Sequence, residues 1–300
     1  MAHSRYRPDR GLSARMGFTL FLLGALFVVL GAVLVYYFGT LGLIFIAGFL
    51  AVQWFFSDRI ALFAMGGREV TPEEAPQLHA IVDRLCALAD MPKPKVAIAD
   101  SDVPNAFATG RSPQRAVVCA TTGIMRRLDE RELEGVLAHE LSHVAHRDVT
   151  VMTLASFVGV LAGFLTRMAF YSGMFGGRRN DNGGAPVVLV ITLVSLVVYA
   201  LSFLLTRVLS RYRELAADRA GAFLTGQPSA LASALTKISG EMGRIPTRDL
   251  RQAEPFNAFF FTPAVAPGFS ISSLFSTHPP LEKRLDQLAR ISADLNRPSA

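Results

Sequence analysis

The sequence predicts a mainly α-helical membrane protein, in which four transmembrane helices accompany one α+β domain with a small β-sheet. Composition is the first observation: 51% of the 300 residues are hydrophobic and only 18% are charged, whereas soluble domains carry about 25% charged residues. The second observation is that apolar residues form four long stretches, separated and followed by two polar regions, residues 57–150 and 207–300. Both observations favour a multi-pass membrane protein.

The net charge and the two cysteines limit the function classes. A net charge of +6 is compatible with nucleic-acid binding, but many basic residues flank apolar stretches and no nucleic-acid-binding motif is present. We therefore predict no nucleic-acid partner. Cys86 and Cys119 are far apart and lack metal-ligand spacing. Free thiols in a reducing compartment are the simpler interpretation, and a single disulfide is the alternative.

The first pair of apolar stretches covers residues 16–56 and follows a basic N-terminal arm, residues 1–15. The segment MGFTLFLLGALFVVLGAVLVYYFG exceeds the ~20 residues that a helix needs to cross a bilayer. Gly39-Thr40 is a turn candidate, after which LGLIFIAGFLAVQWFF returns with Trp54 at a predicted membrane interface. This second stretch is shorter, and a topology in which it does not cross is the alternative.

The second pair, within residues 151–206, consists of the apolar stretches 151–171 and 187–206. Between them, residues 172–186 are rich in Gly and Asn, which predicts a flexible loop. A buried helical hairpin in a soluble core is the alternative interpretation. The nearly continuous apolar character of the fourth stretch favours a membrane helix, since a surface helix of a soluble protein has only one apolar face.

Basic residues predict the orientation, because cytoplasmic segments of membrane proteins are enriched in Lys and Arg. With four crossings, the N-terminal arm and both polar regions lie on one side, predicted to be the cytoplasmic side of a bacterial-type plasma (inner) membrane. Arg167, Arg178 and Arg179 would then lie near or beyond the opposite surface, which is the observation against this topology. An even number of crossings lets the two polar regions form one domain.

The stretch VLAHELSHVAH, residues 136–146, contains the pattern H-E-x-x-H and is predicted to be helical. Asp129 and Glu132 fit a capping box that opens a helix, and apolar residues then recur at helical spacing. On such a helix His139 and His143 lie one turn apart, with about 6 Å between their Cβ atoms. Both imidazoles can then reach one Zn²⁺ at about 2.0–2.1 Å.

Glu140 lies about 100° around the same helix, beside the predicted metal position. A carboxylate there suits a general base that holds a water molecule and accepts its proton. The alternative is a pair of solvated or core histidines. His146 shares the histidine face, but no Gly or Pro interrupts residues 136–150. In an unbroken helix it lies about 10 Å along the axis from His139, so we predict that it is not a ligand.

The segment SRYRELAADRAGAFL, residues 210–224, supplies candidates for a third ligand. Glu214 and Asp218 are four residues apart and share one helix face. This spacing fits a glutamate ligand with a nearby aspartate that accepts the outer N–H of a ligating histidine. The alternative is a solvated helix with Arg–Glu pairs. Small residues favour close packing of this helix against another one: Ala216, Ala217, Ala220, Gly221 and Ala222.

HELSH, followed by an apolar hairpin and then RELAAD, resembles the HtpX family of membrane metallopeptidases, relatives of the type I CAAX prenyl protease. The resemblance covers nearly the whole chain. It implies one Zn²⁺ per chain, bound by His139, His143 and Glu214. It further implies that Glu140 is the general base and that Asp218 supports a histidine ligand. The polar regions would then form a zincin-type, gluzincin-like protease domain.

The resemblance also implies a role. The protein would be an endopeptidase that cleaves membrane or misfolded proteins at the cytoplasmic face, as a heat-shock-type quality-control protease. Its partners would be polypeptide substrates and the lipid bilayer; the sequence names no particular substrate and no oligomeric state. The alternatives are a processing peptidase with narrow specificity and a non-catalytic membrane scaffold with a structural zinc.

Short strands are predicted before the HExxH helix. Lys95–Ala99 and Arg115–Ala120 have strand-like composition, and NAFATG, residues 105–110, lies between them. Similar N-A-F segments in zinc peptidases form an edge strand that pairs with an extended substrate, which is β-augmentation. The alternative is an ordinary strand and turn. The predicted contact residues are Asn105, Ala106 and Phe107.

The segment STHPPLEKRLDQL, residues 276–288, contains a helix predicted to start at Pro279-Pro280, since Pro is favoured in the first turn. Related family members carry a histidine-proline segment here and an arginine a few residues later, which correspond to His278 and Arg284. The resemblance implies that His278 stabilises the oxyanion of the tetrahedral intermediate and that Arg284 contacts the substrate. A structural or capping histidine is the alternative. The preceding connection, residues 245–275, is rich in Pro and Phe and is predicted to pack inside, with a lid or a lipid contact as alternatives.

Overall fold

The structure, a computed structural model, describes residues 10–64, 66–110, 112–175, 184–242 and 278–297. Within these ranges the chain forms nine α-helices and four β-strands. The helices are α1 (Arg10–Phe38), α2 (Thr40–Ala64), α3 (Pro76–Ala89), α4 (Thr122–Arg127), α5 (Glu130–Ala145), α6 (Asp148–Phe175), α7 (Gly184–Thr225), α8 (Pro228–Met242) and α9 (Leu281–Leu295). The strands are β1 (Gly67–Glu69), β2 (Lys95–Ala99), β3 (Ala106–Thr109) and β4 (Val117–Thr121). The Phe-rich connection, residues 245–275, lies outside the described residues.

The chain divides into two compact units. The first, which we call the membrane unit, comprises residues 14–57 and 151–209. The second, the polar unit, comprises residues 1–13, 58–150 and 210–300. Helices α1, α2, α6 and α7 each have residues in both units.

Three helices among the described residues are long and apolar enough to cross a membrane. The qualifying segments are Arg10–Phe38, Asp148–Ala169 and Val187–Thr225, which contain 18-residue stretches with mean hydropathies of 2.8, 2.0 and 2.8. Helix α2 contributes a shorter apolar segment, Thr40–Gln53. The structure therefore confirms a mainly helical chain with three candidate membrane spans, and the fourth crossing stays a prediction.

The two predicted connections in the membrane unit have different outcomes. The turn at Gly39 is confirmed: this residue separates α1 from α2 and has a φ of 56°, a left-handed conformation that suits glycine because it has no Cβ. The loop predicted at residues 172–186 is shorter than expected, since α6 continues to Phe175 and α7 begins at Gly184. Each residue added to an existing helix gains a backbone hydrogen bond without a new nucleation cost, so helices extend past their apolar stretches. Residues 176–183 lie outside the described residues.

The polar unit contains a mixed four-stranded sheet in the order β1-β2-β4-β3. Strand β2 pairs parallel with β4, whereas β3 pairs antiparallel with β4 and forms one edge of the sheet. The strand predicted at Lys95–Ala99 is confirmed. The strand predicted at residues 115–120 instead begins at Val117, because Pro113–Arg115 forms a 3₁₀ turn.

Helix α5 lies at the centre of the polar unit, with α3, α8 and β3 packed against it. It opens with the predicted capping box. The Asp129 carboxylate accepts from the N–H of Glu132 at 2.9 Å, and the Glu132 carboxylate accepts from the N–H of Asp129 at 3.0 Å. Every residue from 132 to 142 is buried. Because buried polar side chains need hydrogen-bond partners, the polar residues of this stretch depend on groups from the surrounding elements.

Helix α5 ends at Ala145, so the prediction of an unbroken helix over residues 136–150 is wrong. The N–H of His146 donates to the carbonyl of Ser142 at 3.0 Å, and Arg147 then adopts a left-handed φ of 55°. Helix α6 begins at the next residue, Asp148. A left-handed residue at the end of a helix is usually Gly. Here it is Arg147, so the sequence contains no Gly or Pro that would indicate the break.

Candidate metal centre

Three side chains with metal-binding donors converge where α5 and α7 meet. His139 and His143 lie on α5 and Glu214 lies on α7, and one donor atom of each lies within 4.8 Å of the other two. The two Nε2 atoms are 3.1 Å apart. The Glu214 carboxylate lies 3.4 Å from Nε2 of His143 and 3.7 Å from Nε2 of His139. In the described part of the chain, no other set of three His, Cys, Asp or Glu side chains is arranged in this way.

The donor set fits Zn²⁺. Two imidazoles and one carboxylate are a known ligand set of catalytic zinc sites, in which three protein ligands leave a fourth position for water or substrate. In both histidines Nδ1 is within hydrogen-bond distance of an aspartate carboxylate. A carboxylate can only accept there, so Nδ1 carries the proton and Nε2 presents its lone pair to the metal position.

Asp218 holds His139. Its Oδ1 accepts a hydrogen bond from Nδ1 of His139 at 2.9 Å, and Arg284 donates two further bonds to the same carboxylate at 2.6 and 2.7 Å. Asp218 is 0% exposed and His139 is 1% exposed. Burial strengthens these contacts, and it also lowers the pKa of His139, which favours the neutral imidazole that a metal requires.

Arg284 occupies a different place from the substrate contact predicted from the sequence. It is 2% exposed, its guanidinium is bidentate to Asp218, and its Nη1 lies 3.7 Å from Glu214. Turning this guanidinium toward a substrate would leave the Asp218 charge buried and uncompensated, which is strongly unfavourable. The described contacts thus place Arg284 as a support for Asp218, and its contact with substrate stays a prediction.

His278 lies beside the third donor. Its Nδ1 is 3.0 Å from Oε2 of Glu214, and the residue is buried. Helix α9 begins at Leu281, close to the predicted start, and Gln287 ties it to α7 through a 2.7 Å bond from Nε2 to the Leu215 carbonyl. The helix thereby places His278 next to the donor group, while its role as an oxyanion donor stays a prediction.

Glu140 is buried beside the donors and reaches toward strand β3. Its Oε2 accepts a hydrogen bond from the N–H of Ala108 at 3.0 Å. Burial raises the pKa of Glu140 to about 7, with a further increase from the Glu214 carboxylate that His143 opposes. A carboxylate with a pKa near neutrality suits a proton acceptor.

The segment predicted to pair with an extended substrate through its backbone comprises Asn105 and strand β3, and the side chains of its first three residues are buried. Asn105, Ala106 and Phe107 are all buried, and Phe107 packs against Ala97 and Cys119. The backbone of β3 reaches the side chains beside the donor group, since the N–H of Ala108 donates to Glu140. The substrate contact at this strand stays a prediction.

Two residues next to the donors were missed by sequence analysis. The Asp148 carboxylate accepts a hydrogen bond from Nδ1 of His143 at 2.7 Å, and Arg213 forms an ion pair with Asp148. In the sequence, Asp148 is a charged residue just before an apolar stretch. Charged and polar residues are common at the ends of membrane helices, so this position did not identify Asp148 as part of a metal site.

Gly221 allows α7 to approach α5 at His139. A Cβ at this position would lie 3.0 Å from the backbone nitrogen of His139 and 3.3 Å from its Cα. The close packing predicted from the small residues of this helix is therefore confirmed at Gly221.

Gly221→Ala is expected to lower Zn²⁺ affinity about tenfold, because the two helices that carry the donors must move apart. The added methyl requires a shift of a few tenths of an ångström between them. Gly240→Ala on α8 is the matched control, since a Cβ there meets nothing within 4 Å; it should stabilise the helix by about 1 kcal/mol. If the purified Gly221→Ala protein bound Zn²⁺ as tightly as wild type, this helix contact would not set the site geometry.

Known proteins resemble the chain over most of its length. The model of Peptidase family M48 matches residues 72–292. Protease HtpX homolog 1 of Streptomyces coelicolor is 60% identical over 99% of this chain and 98% of its own length. A Protease HtpX homolog of Moorella thermoacetica is 57% identical over 96% of both chains. The crystal structure of S. mikatae Ste24p aligns with a TM-score of 0.53 at 19% identity, over 93% of this chain and 67% of that one, which is a likeness of fold.

Proposed function

The chain belongs to peptidase family M48, and from this premise we propose that it is a zinc-dependent endopeptidase of a bacterial-type plasma (inner) membrane. Membership of the family and homology to HtpX proteases make it a membrane metallopeptidase that acts on polypeptides. The finer assignment has three parts: the metal is Zn²⁺, the substrates are membrane or misfolded proteins, and cleavage takes place on the cytoplasmic side.

One observation carries the zinc assignment. His139, His143 and Glu214 bring three donors together, and both imidazoles have Nδ1 bonded to a carboxylate, so that both Nε2 atoms are available to one ion. When bound, Zn²⁺ supplies a Lewis acid that polarises the scissile carbonyl and lowers the pKa of a bound water to about 7. This convergence of donors supports the ligand set that the HtpX resemblance implies.

The chain's own residues then handle the proton. Glu140 lies one residue after a proposed ligand and is buried, so its carboxylate is held beside the attacking water and accepts its proton. The same carboxylic acid then donates that proton to the amine that leaves. His278 is bonded to Glu214 through Nδ1, and both of its ring nitrogens are donors when it is an imidazolium. In that form its Nε2–H is proposed to donate to the oxyanion of the tetrahedral intermediate.

Strand β3 is proposed to hold the substrate. It is an edge strand, and its Ala108 N–H already donates to Glu140 at 3.0 Å. An extended peptide that adds to this edge is held by main-chain hydrogen bonds, which depend little on side-chain identity. Such binding suits a quality-control peptidase that meets many unfolded sequences better than a processing peptidase with narrow specificity.

Membrane vesicles that carry the chain test activity, metal and orientation together. Inside-out vesicles are expected to hydrolyse added casein, and right-side-out vesicles only after detergent permeabilisation. The chelator 1,10-phenanthroline is expected to abolish hydrolysis and Zn²⁺ to restore it, with vesicles that carry Glu140→Gln as the blank. Hydrolysis by intact right-side-out vesicles would contradict the cytoplasmic orientation, and hydrolysis that survives the chelator would contradict metal dependence.

A further inference from the structure

We propose that Asp148 is a positioning residue for His143 and that Arg213 holds Asp148 in place through an ion pair. This inference rests on the metal centre proposed above. In this proposal Asp148 supports His143 as Asp218 supports His139. Arg213 links α5 and α7, the two helices that carry the ligands.

The contacts around His143 repeat those around His139. His139 bonds to Asp218, which is held by Arg284. His143 bonds to Asp148 at 2.7 Å, and Asp148 is held by Arg213. Asp148 is 7% exposed and Arg213 is 9% exposed. In both cases a buried carboxylate accepts the Nδ1 proton, which orients the ring and makes Nε2 a stronger ligand.

The local backbone explains how Asp148 reaches His143. On a continuous helix two residues five positions apart point about 140° apart, so their side chains do not meet. Helix α5 instead ends at Ala145, and the left-handed φ of Arg147 turns the chain before α6 begins at Asp148. The break that the sequence did not mark thus has a consequence at the site. It brings the Asp148 carboxylate back to the ring of His143, which lies in the last turn of α5.

Arg213 extends this support to the third ligand. It directly precedes Glu214 on α7, and its Nη2 also lies 3.5 Å from the carbonyl of His146. The Arg213 side chain therefore joins the start of α7's ligand-bearing segment to the end of α5. Loss of Asp148 would release His143 and also remove the ionic partner of the residue adjacent to Glu214.

The alternative is that Asp148 and Arg213 only stabilise the fold, for example because Asp148 lies in the first turn of α6, where a negative charge is favourable. A purely structural role changes the melting temperature of the metal-free protein but not the metal affinity of the folded protein. The two roles are therefore separable by a direct measurement of binding.

The experiment compares Zn²⁺ binding to purified full-length wild type, Asp148→Ala, Asp148→Asn and the double variant Asp148→Ala/Arg213→Met, by competition with a chromophoric chelator. Asp148→Ala is expected to lower Zn²⁺ affinity about 10–100-fold, the usual effect of removing a carboxylate behind a ligating histidine. Asp148→Asn should lose less, since its amide oxygen still accepts the Nδ1 proton. The double variant leaves no unpaired buried arginine, so it folds where the single variant fails, and it should show the same loss as Asp148→Ala.

Asp102→Ala is the matched control. Asp102 also pairs with arginines, Arg126 and Arg127, but its side chain is 77% exposed, so Zn²⁺ affinity should not change. The visible spectrum of the Co²⁺-substituted protein should shift in Asp148→Ala and not in Asp102→Ala. Wild-type affinity and spectrum in both Asp148→Ala and the double variant would overturn this inference alone, whereas a wild-type chain that binds no Zn²⁺ would overturn the proposed metal centre itself.

Discussion

Glu140→Gln is expected to lower casein hydrolysis about 100- to 10,000-fold, the usual contribution of a general base, while the protein still binds Zn²⁺ with wild-type stoichiometry. The reason is the position of Glu140. It is buried beside the donors and bonded to Ala108, but it is not one of the three side chains that converge on the metal position. The amide of Gln cannot accept the proton of the attacking water.

The measurement combines turnover and bound zinc for the same purified sample. Glu134→Gln is the matched control on the same helix, because Glu134 is also buried, at 7% exposure, and bonds to Nε of Arg84 at 2.9 Å, away from the donors. Its turnover should stay within a few fold of wild type. Near-normal turnover in Glu140→Gln would refute the assignment of Glu140 as the base, and loss of zinc in that variant would make it a ligand.

Glu214→Ala is expected to lower Zn²⁺ affinity by more than about 100-fold, beyond the 10–100-fold expected for a supporting residue such as Asp218 in Asp218→Ala. Glu214 supplies the carboxylate of the donor group, with Oε2 3.7 Å from Nε2 of His139 and Oε1 3.4 Å from Nε2 of His143. It is held in place by His278. Without it, two imidazoles on one helix remain, which is one ligand fewer than a catalytic zinc site provides.

His146→Ala is the control for this pair, since His146 bonds to the Ser142 carbonyl of its own helix and does not belong to the converging group. Equilibrium dialysis or chelator competition with each variant gives the affinities. If Glu214→Ala kept native zinc affinity while His146→Ala lost it, the third ligand would be His146, and the assignment of α7 as the ligand helix would be wrong.

Local signals in the sequence predicted the elements that carry the site. The capping box at Asp129 and Glu132, the helical spacing that follows, and the one-turn separation of His139 and His143 are all short-range features, and the structure has each of them. The turn at Gly39 was predicted for the same reason. Spacing alone also put Glu214 and Asp218 on one face.

Features that depend on contacts between distant segments were not predicted. Helix α5 ends at Ala145 and is followed by Arg147 in a left-handed conformation, which an arginine in the sequence does not indicate. The contact from Asp148 to His143 follows from that break. The substrate contact of Arg284 was predicted from the family resemblance. The sequence could not show that α9 packs this arginine against Asp218, 66 residues earlier in the chain.

X-ray absorption at the zinc edge of the purified, zinc-bound chain reports which atoms surround the metal. We expect two histidine nitrogens at about 2.0–2.1 Å and oxygen ligands at about 2.0–2.2 Å, with the carboxylate oxygen missing in Glu214→Ala. Both cysteines are buried away from the donor group, so no sulfur contribution is expected. A sulfur shell at about 2.3 Å, or three histidine nitrogens that persist in Glu214→Ala, would contradict a centre built from His139, His143 and Glu214.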